Sequence, residues 1–382
     1  MFEYLWTHGK GVIDNDTVWF VPANFNFLCQ YNYMHNVIKR FIHLHSSISM
    51  EGSHYNILKV EQKIILIPTR DINIFVFDIM TEKLECFPFG GERDLNERCM
   101  EYAIWKEYIY IFPITYPYIV KFNYNNFSIE YIKSKSVNKC IEKKVPYTDS
   151  CVQNNDTVNI LIYNSNKICE FNLETYEERS FTIGNKEQHY RTICNYKKNG
   201  LILSDQKGNV TILDDKKRIV QFMKASYEVK YRSCIPVSEG FLFIPYDKTN
   251  RGFLWKEKEK IFFCIDKIRQ TSWVKKWEYS AYSVAYYDEY KAMFFNVLMK
   301  SLCILNLRTY NVNQYYIELK VFSEKLLEKI FCEYDKWNVS IVNEFEIMDI
   351  QGYLRYICYM KSRDIEKSKR VGNEIYQNLS LK

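Results

Sequence analysis

Two short stretches carry the chain's best case for chemistry. "HYRTICNY", from His189, and "KYRSCIPV", from Lys230, each set a Tyr-Arg pair at the head of an apolar run: Tyr190-Arg191 in one, Tyr231-Arg232 in the other. Two guanidiniums brought to one mouth would grip a carboxylate or a phosphate through paired N–H donors. Tyrosines beside them would add apolar faces carrying hydroxyls, suited to a sugar or a peptide. Residues so far apart in sequence can share a mouth only if the chain repeats.

It does repeat. "VWFVPANFNFLCQYNYMHN" (from Val18), "KIILIPTRDINIFVFDIMTEK" (from Lys63) and "YIYIFPITYPYIVKFNYNN" (from Tyr108) share one plan. An apolar run ends in proline, a short gap follows, and a second apolar run ends on Asn or Asp. Weaker copies are "VNILIYNSNKICEFNLET", "LILSDQKGNVTILDDKK", "FLFIPYDKTNRGFLWKEKEK" and "MFFNVLMKSLCILNLRTYN". The anchors after the second run are Asn32, Asp78, Asn123, Asn172, Asp214, Trp255 and Asn306. A recurrence of about 45 residues is the mark of a repeat fold.

The runs are short, rich in β-branched and aromatic residues, and bounded by Gly, Pro, Asn and Asp, which makes them strands. The first run of each copy is apolar throughout, so both its faces must be buried. Asp78, Asn172 and Asn306 each open a tetrapeptide in which the Asx side chain can bond backbone two residues on and reverse the chain. A further strand precedes each first run ("YNILKV") and another follows each turn ("KLECFPF"). Four strands per unit and seven units predict an all-β fold, a seven-bladed β-propeller of four-stranded antiparallel blades. In organisation the chain resembles WD-repeat and kelch-type propellers over residues 1–319. The WD dipeptide is absent and the double glycine occurs once, at Gly90-Gly91, so the resemblance carries no functional residues over. Two closures fit the ends: "FEYLW" at Phe2 to Trp6 straps onto the last blade, or "NQYYIEL" completes that blade alone.

Residues 320–382 change to helical spacing and form a small C-terminal α-helical extension. Ser323 is the expected N-cap of a helix whose stripe is Leu326, Leu327, Ile330, Phe331, Tyr334 and Trp337, and a second helix starts at Asp349. The stripes suit packing on the propeller rim, or a partner.

Aligned on the proline position, the copies place His8, His54, Cys99, Thr148, Tyr190, Tyr231 and Tyr282 at the head of the innermost strand. Gly9, Tyr55, Met100, Asp149, Arg191, Arg232 and Ser283 come next. Loops held by rigid sheets converge there, where ligands usually meet a propeller. The candidate ligand-binding residues are therefore Arg191, Arg232, Tyr190, Tyr231, Tyr282, Tyr55, His54 and Asp149. The plainer role for each arginine is to pair with an acid or a carbonyl of its own ring.

Several function classes are excluded on the same residues. No phosphate-binding glycine loop, Gly-x-Ser-x-Gly elbow or His-Glu-x-x-His occurs. Asp149 is the single acid at the mouth, where glycoside cleavage normally needs two. His43-x-His45 and His54 lack an acidic or cysteine ligand at metal spacing, and the 12 cysteines form no Cys-x-x-Cys, so no metal or cofactor is expected. Without a leader, those cysteines read as reduced thiols of a cytoplasmic protein. No apolar run is long enough to span a bilayer. A net charge of +6 with no basic cluster before residue 320 argues against nucleic acid. The reading is a non-enzymatic binding or scaffold protein that recognises a protein or peptide through the channel face. The alternative is an enzyme or sensor for an anionic carbohydrate at the same mouth. Oligomeric state is not legible.

Overall fold

A side chain period of two along a strand sends successive residues to opposite faces. The run Ile64-Ile65-Leu66-Ile67 is apolar at every position because both its faces meet protein: Ile64 and Leu66 pack toward the preceding blade, Ile65 and Ile67 toward the following one. Ile109-Tyr110-Ile111-Phe112 divides in the same way. Such runs form the second strand of each sheet, and the sheets stand face to face around a ring.

The structure is a computed structural model. It describes residues 4–5, 10–22, 27–44, 54–69, 73–88, 99–197, 199–224, 231–237, 240–245, 252–256, 258, 261–265, 282–287, 291–296, 301–309 and 311–318. All of these fall within the unit Tyr4–Val321. They form seven four-stranded antiparallel blades, each built from four strands consecutive in the chain. Blade 1 begins at Val12, blade 2 at His54, blade 3 at Cys99, blade 4 at Thr148, blade 5 at Tyr190, blade 6 at Tyr231 and blade 7 at Tyr282. The first strand of each blade touches the first strand of the next, and that of blade 7 touches that of blade 1, so the first strands line the central channel. The C-terminal helical extension, with Ser323 and both stripes, lies outside the described residues.

One apolar cluster fills each seam from blades 1–2 to blades 6–7. The seam that closes the ring is aromatic: Phe20 of blade 1 lies 5.1 Å from Phe295 of blade 7, and Tyr33 lies 6.2 Å from Tyr315. Closure follows neither of the two expected routes entirely. Val312–Tyr315 completes blade 7, while Tyr4–Leu5 pairs with Ile317–Glu318 as a separate two-stranded ribbon.

The end of the ring opposite the strand heads is built on side-chain-capped turns. Asp78 Oδ1 accepts the backbone N–H groups of Met80 and Thr81, Asn123, Asn172 and Asn306 repeat the arrangement, and Asp214 Oδ1 accepts those of Lys216 and Arg218. Asn32 accepts from the His35 N–H. Trp255 breaks the series. The capping residues pair with the first residue of the second strand, as in Lys63↔Asp78 and Lys291↔Asn306; in blade 6 that place belongs to Lys256, opposite Gly240. Trp255 stands one residue inward and is buried.

Among the described residues one helix interrupts the sheets, α1 (Lys135–Glu142), between the outermost strand of blade 3 and the innermost strand of blade 4. Its Val137 and Cys140 seal the seam between those blades. Ser134 caps its start, accepting the Val137 N–H at 3.1 Å.

Candidate functional site

The inner strands begin at His54, Cys99, Thr148, Tyr190, Tyr231 and Tyr282, the residues that the repeat alignment puts at the strand heads. In blade 1 the strand starts later, at Val12, and His8 and Gly9 lie outside the described residues. The second position does something the sequence does not announce. In blades 2 to 6 the pairing register slips once, always between the first and third residues of the strand: His54/Asn56, Cys99/Glu101, Thr148/Ser150, Tyr190/Thr192 and Tyr231/Ser233. Tyr55, Met100, Asp149, Arg191 and Arg232 are the bulged residues. A bulge frees its residue from the ladder and re-aims it, and bulges concentrate beside functional sites. Blade 7 slips later, between Val284 and Tyr286, so Ser283 remains in register opposite Phe295.

The bulge also decides where the flanking tyrosines go. It reverses the pleat, so the first and fourth residues of the strand face the same neighbouring blade. Tyr190 joins Ile193 in the seam between blades 4 and 5, is 1% exposed, and its hydroxyl lies 3.2 Å from that of Thr211. Burial raises its pKa above the ordinary 10.0. Tyr231 is buried between blades 5 and 6, with its ring 5.0 Å from Phe243. These two rings are spent on seam packing and do not present their faces to the channel. The side chains of His54, Tyr55, Asp149, Arg232 and Tyr282 lie outside the described set; their backbones hold the places named above.

Arg191 is half-buried, with its guanidinium carbon 4.9 Å from the centre of the Tyr163 ring in blade 4. That cation–π contact orients a planar fork at the seam between two blades.

Behind the bulges lies a second ring. The third residue of the strand is polar in five successive blades: Asn56, Glu101, Ser150, Thr192 and Ser233. A lone parallel bridge, Lys10↔Asn56, puts Lys10 of blade 1 level with them. Lys10 Nζ reaches Glu101 at 3.1 Å, passing from blade 1 to blade 3. Burial alone would pull the Lys10 pKa down, but the facing carboxylate more than offsets that and holds it above 10.5. Asn56 stands between them in register, is 1% exposed, and neither Nδ2 nor Oδ1 has a hydrogen-bond partner among the described residues. Thr192 is satisfied within its blade by Ser204, at 2.6 Å.

Deeper in the channel, side chains stitch inner strands across seams. Gln153 donates to the Ile104 carbonyl at 2.6 Å and accepts its N–H at 2.9 Å, and Asn195 donates to the Gln153 carbonyl at 2.8 Å. No acid pair poised for general acid–base work appears among the described residues, since Glu101 is committed to Lys10. No group of three metal-ligating side chains comes together among them either. Buried Cys29, Cys169 and Cys303 behave as small apolar groups, with burial raising each thiol, that of Cys303 to about 12.

One charged feature was missed by the linear reading. Lys133, Lys135, Lys139, Lys143 and Lys144 gather on and around α1, at the same end of the ring as the bulges. The signal was present as a charge run in "KSKSVNKCIEKK", and it corrects the expectation of no basic cluster before residue 320.

No protein-family model matches this chain, and no curated protein matches it by sequence. Solved structures match by shape. Virginiamycin B lyase from Staphylococcus aureus aligns with a TM-score of 0.58 at 10% identity, over 82% of this chain and 97% of that one. A chain of the mitotic checkpoint complex aligns at 0.56 and 10%, over 80% and 92%. Hsv2 from Kluyveromyces lactis aligns at 0.51 and 10%, over 82% and 98%. At such identities the likeness is one of fold alone: a propeller. No helix among the described residues is long and apolar enough to cross a membrane.

Proposed function

We propose that this chain is a non-enzymatic, cytoplasmic binding module that receives a protein or peptide segment at the bulged end of its channel. The carrying observation is the alignment of five bulges in successive blades, which lifts Tyr55, Met100, Asp149, Arg191 and Arg232 out of the ladder on one rim. Arg191, fixed over Tyr163, and Arg232 at the equivalent place of the next blade would take a carboxylate of that segment. Tyr55, His54 and Tyr282 would flank it around the rim. On this reading residues 1–319 would be the recognition body and residues 320–382 a helical extension. A protein neighbour in a complex, as in the mitotic checkpoint complex, is in keeping with this reading.

The second reading is an enzyme or sensor for an anionic carbohydrate. The stacked Arg191–Tyr163 pair favours it, since an aromatic face beside a cation suits an acidic sugar. The test that separates them is quantitative capture from host lysate with the full chain and with Arg191→Glu/Arg232→Glu. The module reading expects a specific protein to be recovered and then lost with the variant. Equal recovery by both forms contradicts it.

A further inference from the structure

α1 carries an arrangement that costs the fold something and that the fold itself does not use. Val137, Cys140 and Ile141 face the seam between blades 3 and 4. On the other side, Lys135, Lys139 and Lys143 follow one another at i, i+4 and i+8, so their ammonium groups share one stripe, with Lys133 and Lys144 at its ends. Like charges at i, i+4 destabilise a helix by roughly 0.2–0.5 kcal/mol per pair. A lysine in the first turn, where Lys135 stands, also opposes the helix dipole, although Lys139 in the last turn complements it. All five lysines are exposed, and none of their ammonium groups makes a hydrogen bond or ion pair with any described residue. Glu142, the one acid of the helix, pairs with none of them. Some lysines elsewhere are neutralised: Lys59 by Asp14, Lys121 by Glu130, Lys217 by Glu170.

The stripe is held rigidly. Glu178, from the outermost strand of blade 4, accepts the backbone N–H groups of Lys135 and Ser136 at 3.0 and 2.9 Å and the Ser136 hydroxyl at 2.6 Å. We infer that this lysine stripe is a docking site for an acidic, extended segment of a partner protein, separate from the channel mouth. Successive lysines rise about 6 Å along the axis. Carboxylates on alternate residues of an extended chain are spaced by about 6.5 Å, so an acid at every second position meets one lysine each. Lysine, a point charge on a flexible stem, suits such a series better than one planar anion.

The test uses the full chain and a fluorescent peptide of alternating Glu and Ser, read by anisotropy at low and physiological salt. Lys135→Glu/Lys139→Glu/Lys143→Glu should weaken binding by at least about tenfold, the neutral Lys→Gln triple less, and added salt should weaken the native interaction. Thermal unfolding of each variant checks that the fold is retained, and the Lys→Gln triple, which removes like-charge repulsion, keeps the test open if the Glu triple fails to fold. Lys83→Glu/Lys216→Glu/Lys258→Glu, at three exposed lysines in turns at the opposite end of the ring, should leave peptide binding unchanged, which separates the stripe from a general charge effect. Equal binding by the native chain and the Lys→Gln triple would overturn the inference. So would tighter binding of a single-stranded oligonucleotide or of phosphatidylserine vesicles than of the peptide.

Discussion

Single residues show why the repeat tolerates drift. The turn opposite the bulged end needs one side-chain oxygen that accepts backbone N–H groups, and Asn and Asp supply it alike. Asn123, Asn172 and Asn306 do so without charge, whereas Asp78 and Asp214 do so as carboxylates. The backbone N–H of Thr81, then that of Met80, holds the Asp78 carboxyl below its ordinary 3.8, and the backbone N–H and guanidinium of Arg218 do the same for Asp214. A carboxyl whose folded pKa is depressed contributes stability above its unfolded value, and that contribution disappears as pH falls through the folded one. The double variant Asp78→Asn/Asp214→Asn keeps the acceptor and removes the titration. Its urea-unfolding stability should therefore fall less steeply than the native protein's below about pH 4. Identical acid slopes in the two proteins would show that these turns contribute nothing to the pH response.

At the scale of elements, α1 depends on a carboxylate from another blade. Glu178→Ala removes three acceptor contacts at the helix start, at a cost of about 0.5–2 kcal/mol, that of losing a cap at a helix start. The helix buries its own Cys140 against the seam and, through Ser136, lies 3.4 Å from the Cys169 sulfur. Loosening it should speed maleimide labelling of Cys140 and Cys169 well above that of Cys29, buried in blade 1. Uniform labelling rates would mean that α1 does not act as a cover. The elements also mark the limit of what the sequence reveals. Strands, turns and period were legible because burial on both faces writes unbroken apolar runs such as "IILI", and Asx turns leave a side-chain token. α1 went unread because eight residues of mixed polarity fit a loop as well as a helix. The bulges went unread because a register slip is a property of backbone pairing with no residue type of its own. That is why the alignment could find Tyr190 and Tyr231 at the strand heads yet place their rings in the channel. Trp255 misled for a related reason: an aromatic ending an apolar run sits one residue short of the capping place, which Lys256 fills.

The described residues form a ring whose seven inner strands stand side by side with their heads at one end, so any residue at one register recurs around a single mouth. That geometry turns weak sequence equivalence into spatial neighbourhood, and it brings Arg191 and Arg232 onto adjacent blades without any local motif linking them. The central claim is that this bulged rim is where the chain recognises a peptide. Selection of a random peptide library on the full chain, repeated with Arg191→Glu/Arg232→Glu, tests it most directly. Recognition at the rim predicts enriched peptides that share an acidic residue, bind the native chain, and lose binding to the double variant while still failing to require the α1 lysines. Peptides that bind both forms equally, or no enrichment over an unrelated propeller, would contradict it.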